Sequence, residues 1–324
     1  MPVLRRLGEP TGPAAPGDAA GPALERIVPF TFTDPAPPPD PADMTPFIDH
    51  MESLYGRFTD LSWLTGGTVV SYHDMVRAVV RELGPALTDV DLVITVDASP
   101  DCRHQSFPGA LLAELLPGEP LMMGISEQGV AGPFTALRVA HHQLRTGGAR
   151  RALVLVMEQS TLPPDDAAVR PTRDVAVALL LGGSGGVAVD APTLTVTRTD
   201  AVAGPAVDAD LLVAGAHVDD LPAGVPVRRA EPGHPCAGVW LALAELLATA
   251  PAGGRVLVVD RDPVLPYRCA VTLTVPATGQ PGASAHTAAR GRPTVARPGG
   301  HHPTPASPGA EGGGRPRRTR ELVR

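Results

Sequence analysis

The sequence predicts a layered α/β fold. Apolar runs of strand length alternate with stretches of helical periodicity from residue 26 to residue 276. The run "DLVITVDAS" (91–99) is apolar almost throughout, as a strand covered on both faces of a parallel sheet must be. The later part repeats the order of the earlier one: a strand, a helix entered from a glycine-containing turn, then a pair of strands. Such an echo points to a pseudo-duplicated architecture with a reduced second half.

The elements follow in order. "RIVPFTFTD" (26–34) is a strand and "PAPPPDP" (35–41) a stiff connection. Residues 43–58 form a helix capped by Asp43 or Thr45. Residues 72–87 form an amphipathic helix with Met75, Val79, Val80 and Leu83 on one face. After the strand at 91–99 come a helix (106–116), a strand (120–126), a helix (130–146) and a strand (151–160). Residues 173–183 and 186–196 read as an antiparallel pair around the glycine-rich turn Gly182–Gly186. The second part supplies strands at 208–218, 255–262 and 267–275 and a helix within 233–248. Four segments result: a disordered N-terminal segment (1–25), an N-terminal half (26–200), a reduced C-terminal half (201–276) and a basic Pro/Gly-rich tail (277–324).

Composition narrows the function classes. Hydrophobic residues make up 43% and aromatics only 3%, so the core is built from Leu, Val and Ala. Net charge is −7, and all 27 basic residues are Arg. The tail from Ala277 onward carries eight Arg and two Glu, which leaves −13 on the rest. An acidic body argues against nucleic acid as a partner. No apolar run is long enough to span a membrane. The first residues lack the apolar stretch of a signal peptide. Three widely spaced cysteines, Cys102, Cys236 and Cys269, fit no disulfide framework, and a cytoplasmic location is expected. Neither zinc-type spacing nor a phosphate-binding loop occurs, so no metal and no cofactor is expected. The His301–His302 pair in the tail is too isolated to define a metal site.

Three stretches resemble the thiolase-fold condensing enzymes, especially the ketoacyl synthase III-like group. "RELGPALTDVDLVITVDASPD" resembles the helix–strand unit before that family's substrate edge. "GVAGPFTALRVAHHQLRTGGARRALVLVMEQS" resembles its nucleophile turn, central helix and following strand. "RDVAVALLLGG" resembles its Gly-Asp-Gly-Ala strand, with Asp174 kept and the flanking glycine lost. The resemblance implies a thiolase-like αβαβα fold and a dimer formed through the strand after the nucleophile helix, here Arg151–Gln159. It runs through residues 26–276 in order, and the middle third carries its specific motifs.

Aligned without gaps on Gly132, Leu137 and Gly147, the family's nucleophilic cysteine falls on Val130. Valine has no lone pair with which to take an acyl group from a thioester. A gapped alignment places Ser126 or Gln128 at the turn; both also serve simply to end a strand and cap a helix. "GHPCAGVWLALAELLA" resembles the family's C-terminal Gly-His turn, which implies that His234 donates to a thioester carbonyl or takes a proton. Cys236, two residues on, and Cys102, in a strand-end loop, are further nucleophile candidates or small buried core residues. The family's second catalytic His or Asn has no match in "DRDPVLPYRC", which holds Asp260, Arg261 and Asp262 instead. His141 and His142 lie mid-helix, one expected inward and one outward.

The resemblance therefore implies a divergent ketosynthase-like protein of polyketide or fatty-acyl natural-product biosynthesis. It would bind acyl-CoA or acyl carrier protein thioesters as a non-condensing partner subunit, as chain-length factors do. A homodimer, or a heterodimer with a ketosynthase, is expected. Two alternatives stay open: an active acyltransferase or decarboxylase using Ser126, Gln128 or Cys236 with His234, and a structural dimerisation module.

Overall fold

A computed structural model describes residues 21–34, 41–64, 68–103, 107–163, 169–183, 185–196 and 208–277. The expected tail, the His301–His302 pair and the segment before residue 21 lie outside these residues.

Eleven strands join in one sheet. In chain order they are β1 (Ala23–Phe32), β2 (Leu92–Asp97), β3 (Leu121–Ser126), β4 (Arg151–Glu158), β5 (Asp174–Gly182), β6 (Val187–Val189), β7 (Thr193–Val196), β8 (Leu211–Ala214), β9 (Val227–Arg229), β10 (Arg255–Arg261) and β11 (Tyr267–Thr274). The lateral order is β3-β2-β4-β5-β1-β6-β11-β10-β8-β9, with β7 paired to β11. β2 runs parallel to β3 and β4, and β8 runs parallel to β9 and β10. The two halves thus share a parallel core flanked by antiparallel strands.

The helices are α1 (Pro41–Tyr55), α2 (Tyr72–Leu83), α3 (Pro108–Leu115), α4 (Ala131–Thr146) and α5 (Gly238–Leu247). Strand alternation sorts the core into layers. Ile94, Val154 and Leu179 face inward with Phe134 of α4, Trp240 of α5 and Val256 and Val258 of β10. Val93, Leu155 and Ala178 face the other way, onto Met75, Val76 and Val79 of α2. The rings of Phe134 and Trp240, 5.0 Å apart, join the two central helices. On the outer face of the second half, Leu212, Ala214, Leu257 and Val259 are covered by Val218, Leu221 and Val225 from a loop. Among the described residues no helix lies over that face, and this is where the second half is reduced.

Local chemistry explains the boundaries. Ser71 and Asp74 form a reciprocal capping box that starts α2. The helix stops at Leu83, short of the expected residue 87, because Gly84 turns to φ +37 and Pro85 follows. α4 ends at Gly147, which adopts φ 75.

Three expectations are corrected. β1 begins at Ala23, inside the stretch expected to be disordered, because Ala23 and Leu24 are paired on both sides, by β5 and by β6. For the same reason β5 and β6 are not a hairpin: β1 lies between them. Gly186 meets the passing chain so closely that a Cβ there would lie 2.3 Å from the Leu24 carbonyl oxygen. Finally, the strand Arg151–Gln159, expected at a dimer edge, is interior. β4 is hydrogen-bonded to β2 on one side and β5 on the other, so none of its backbone groups is free to pair with a second subunit. The edge of the sheet on that side is β3, beyond β2, where Leu121 and Met123 are exposed.

Candidate functional site

The centre of the site is the start of α4. The turn from β3 is sharp: Glu127 adopts φ 57 and Gly129 φ 52. Positive φ strains a side-chain-bearing residue such as Glu127. It delivers Val130, which is buried, to the N-terminal end of the helix. No side chain from the turn caps this end. The cap comes from far along the chain: Asp262 Oδ2 accepts from the Val130 backbone N–H at 3.1 Å. Asp262 Oδ1 accepts from Val264 and Leu265 N–H at 3.0 and 2.8 Å. Gly129 is required where it stands, since a Cβ would lie 2.1 Å from Asp262 Oδ2.

A small cleft opens beside Val130. It is lined by His234, Asp260, His217, Gly215 and Val239, among others. It has room for about one water. His217 sits on the turn after β8, at the carboxyl end of a parallel strand, where ligands meet such sheets. Asp260 is buried, and burial pushes its carboxyl up to about 8, helped by the neighbouring carboxylates of Asp262 and Glu158. At neutral pH it is therefore mostly a neutral acid.

His234, in the wall of the cleft, pairs with Glu158 behind it; their side chains are 1% and 0% exposed. Glu158 Oε2 lies 3.3 Å from His234 Nδ1. The other oxygen, Oε1, accepts from the Cys236 backbone N–H. His234 Nε2 is buried without a hydrogen-bond partner among the described residues.

The candidates separate clearly. Val130 and His234 line one cleft. Ser126 and Gln128 are exposed on the turn and do not line it; Gln128 Oε1 instead accepts from the Thr135 hydroxyl at 3.1 Å. Cys236 lies behind the cleft, its thiol donating to the Gly129 carbonyl at 3.0 Å. Burial, and then the Glu158 carboxylate, push that thiol well above its usual range. Cys102 is fully buried against α1 and Trp63, its thiol also raised by burial. Asp174 is structural: its buried carboxylate accepts from Ser160 N–H and hydroxyl and from Val70 N–H. His141 is buried and His142 exposed, as the helix period requires. No group of metal-ligating side chains occurs among the described residues. The sequence reading passed over Glu158 and His217; the signal for both was a polar residue at or just after the carboxyl end of a strand.

The fold recurs in solved structures. The tetronic acid condensing enzyme AbyA1 superposes with a TM-score of 0.51 at 16% identity, over 78% of this chain and 99% of that one. The chain has the fold of the thiolase-like condensing enzymes. The 3-oxoacyl-(acyl carrier protein) synthase III, FabH, of Pseudomonas aeruginosa gives a TM-score of 0.52 at 19% identity, over 79% of this chain and 98% of that one. A variant of OleA from Xanthomonas campestris with bound lauric acid and lauroyl-CoA gives 0.53 at 15% identity, over 79% and 99%. No protein-family model matches the sequence, and no curated protein matches it. The ketosynthase III-like resemblance of the middle third is thus matched by a likeness in fold across both halves.

Proposed function

We propose that this chain is a divergent, ketosynthase-like partner subunit that does not itself condense acyl groups. Its pathway would be one of polyketide or fatty-acyl natural-product biosynthesis. The observation that carries the reading is Val130 at the start of α4, where the resemblance puts a nucleophilic cysteine. Two further features agree with it. The Val130 N–H, which would otherwise be open to an acyl oxygen at the helix terminus, is taken by Asp262. The three thiols are buried, and burial raises each of them.

The ligand in this reading is an acyl-CoA or an acyl carrier protein thioester, in keeping with the lauroyl-CoA bound to the OleA variant. The partner is a second subunit of the same fold, either this chain or an active ketosynthase. It pairs along β3, whose outer side no described residue pairs with and which bears exposed Leu121 and Met123, with exposed Phe107 and Leu115 nearby. The setting is the cytoplasm, where free cysteines persist; no helix of the described residues is long and apolar enough to cross a membrane.

A second reading, an acyltransferase or decarboxylase working through His234, is favoured by the Glu158–His234 pair at the cleft. Incubation with malonyl- and acyl-carrier thioesters separates the two: release of a decarboxylated product or an acyl-protein adduct supports the second and sinks the first.

A further inference from the structure

The Glu158–His234 pair has a defined polarity. Glu158 Oε1 accepts from the Cys236 N–H, and Oε2 faces His234 Nδ1 at 3.3 Å. A carboxylate offers only acceptors, so the proton on that side of the ring belongs to Nδ1. His234 lines the cleft, whereas Glu158 does not. The ring edge left for the cleft is therefore the one bearing Nε2, which is buried and meets no hydrogen-bonding group among the described residues. A buried imidazole nitrogen without a partner is costly unless a ligand or water answers it.

We propose that Glu158 is a positioning residue: it holds the proton of His234 on Nδ1, so that Nε2 presents a lone pair to one hydrogen-bond donor in the cleft. When a ligand enters the cleft, Nε2 takes a proton or a hydrogen bond from its hydroxyl, amide or acid. The assignment rests on the reading of this cleft as the ligand site. It explains why a glutamate is buried at the end of β4, a position that packing alone would give to an apolar residue.

The test is histidine 15N NMR on the full chain at neutral pH, with and without Glu158→Gln. In the wild type His234 is expected with Nδ1 protonated and Nε2 bare. The substitution makes a sharper forecast. Cys236 N–H needs an acceptor, so the amide oxygen of the new side chain must turn to it. The NH2 group is then left facing Nδ1, which has to accept, and the ring proton moves to Nε2. A complete exchange of the protonated nitrogen is the expected result. A wild-type ring with its proton on Nε2, or an unchanged tautomer in Glu158→Gln, would overturn the inference. The wild-type spectrum decides by itself if the variant does not fold. Titrating malonyl-CoA into the same sample tests the reading beneath: a displaced Nε2 signal supports the cleft as ligand site. An unmoved one overturns that reading while leaving the role of Glu158 to the tautomer result.

Discussion

Replacing Asp262 with Ala should unlock the start of α4. Three backbone N–H groups lose their acceptor, those of Val130, Val264 and Leu265. Val264 and Leu265 are 57% and 38% exposed, so their N–H groups turn to water at little cost, but Val130 is 2% exposed and cannot. Leaving one buried donor unsatisfied costs about 1–3 kcal/mol, towards the upper end here because the lost acceptor is a carboxylate. For a chain of this size each kcal/mol moves Tm by about 2–4 °C, so a fall of roughly 5–10 °C is expected by circular dichroism. Gly129→Ala provides the matching half of a cycle. Its Cβ would lie 2.1 Å from Asp262 Oδ2, in addition to a strain of about 1 kcal/mol for a left-handed backbone. In the Asp262→Ala background the clash is gone and only the strain remains. The double variant should thus be less destabilised than the sum by about 1 kcal/mol or more. A fall below about 1 °C for Asp262→Ala, or simple additivity of the pair, would refute the cap.

Other consequences follow from the same contacts. Asp260 is protonated up to about pH 8 in the folded chain and ionises near 4 when unfolded. The folded state binds the extra proton between those values, so this group's contribution falls as pH rises from 4 to 8, by about 1.4 kcal/mol per unit. Asp260→Asn should flatten that slope in urea titrations between pH 5 and 7.5; an unchanged slope would refute the assignment. Asp97, raised by burial to about 7, adds a slope of the same sign and size over a narrower range. All three thiols should resist a thiol reagent at pH 7.5 and react together only in denaturant; one fast native thiol would contradict their burial. Leu121→Arg should abolish self-association or ketosynthase pairing in sedimentation while leaving Tm within a few degrees, because Leu121 is 60% exposed; retained association would move the interface off β3.

Much of the fold was legible because its signals are local. The apolar run of β2, the periodicity of α2 and the glycine turn after α4 state their own structure. The errors arose where a distant segment decides the outcome. β5 and β6 look like a hairpin until β1, more than a hundred residues earlier, is wedged between them. Residues 186–196 look like one strand, yet β6 pairs with β1 and β11 while β7 pairs with β11 alone, broken around Pro192. β9, three exposed residues including two arginines, has no pattern to read. At the site, Val130 and His234 were visible through the resemblance. Glu158 was not, because its partners His234 and Cys236 lie 76 and 78 residues on. Asp262 was visible only as a residue out of pattern, since its role depends on a contact 132 residues back.

The most direct test of the account is intact-protein mass after incubation with acyl- and malonyl-carrier thioesters, beside Ser126→Ala, Cys236→Ala and Cys102→Ala. The account predicts an unchanged mass and no decarboxylated product, because Val130 cannot accept an acyl group and the thiols are buried and protonated. A gain of one acyl group that one of these variants abolishes would contradict it and name the nucleophile.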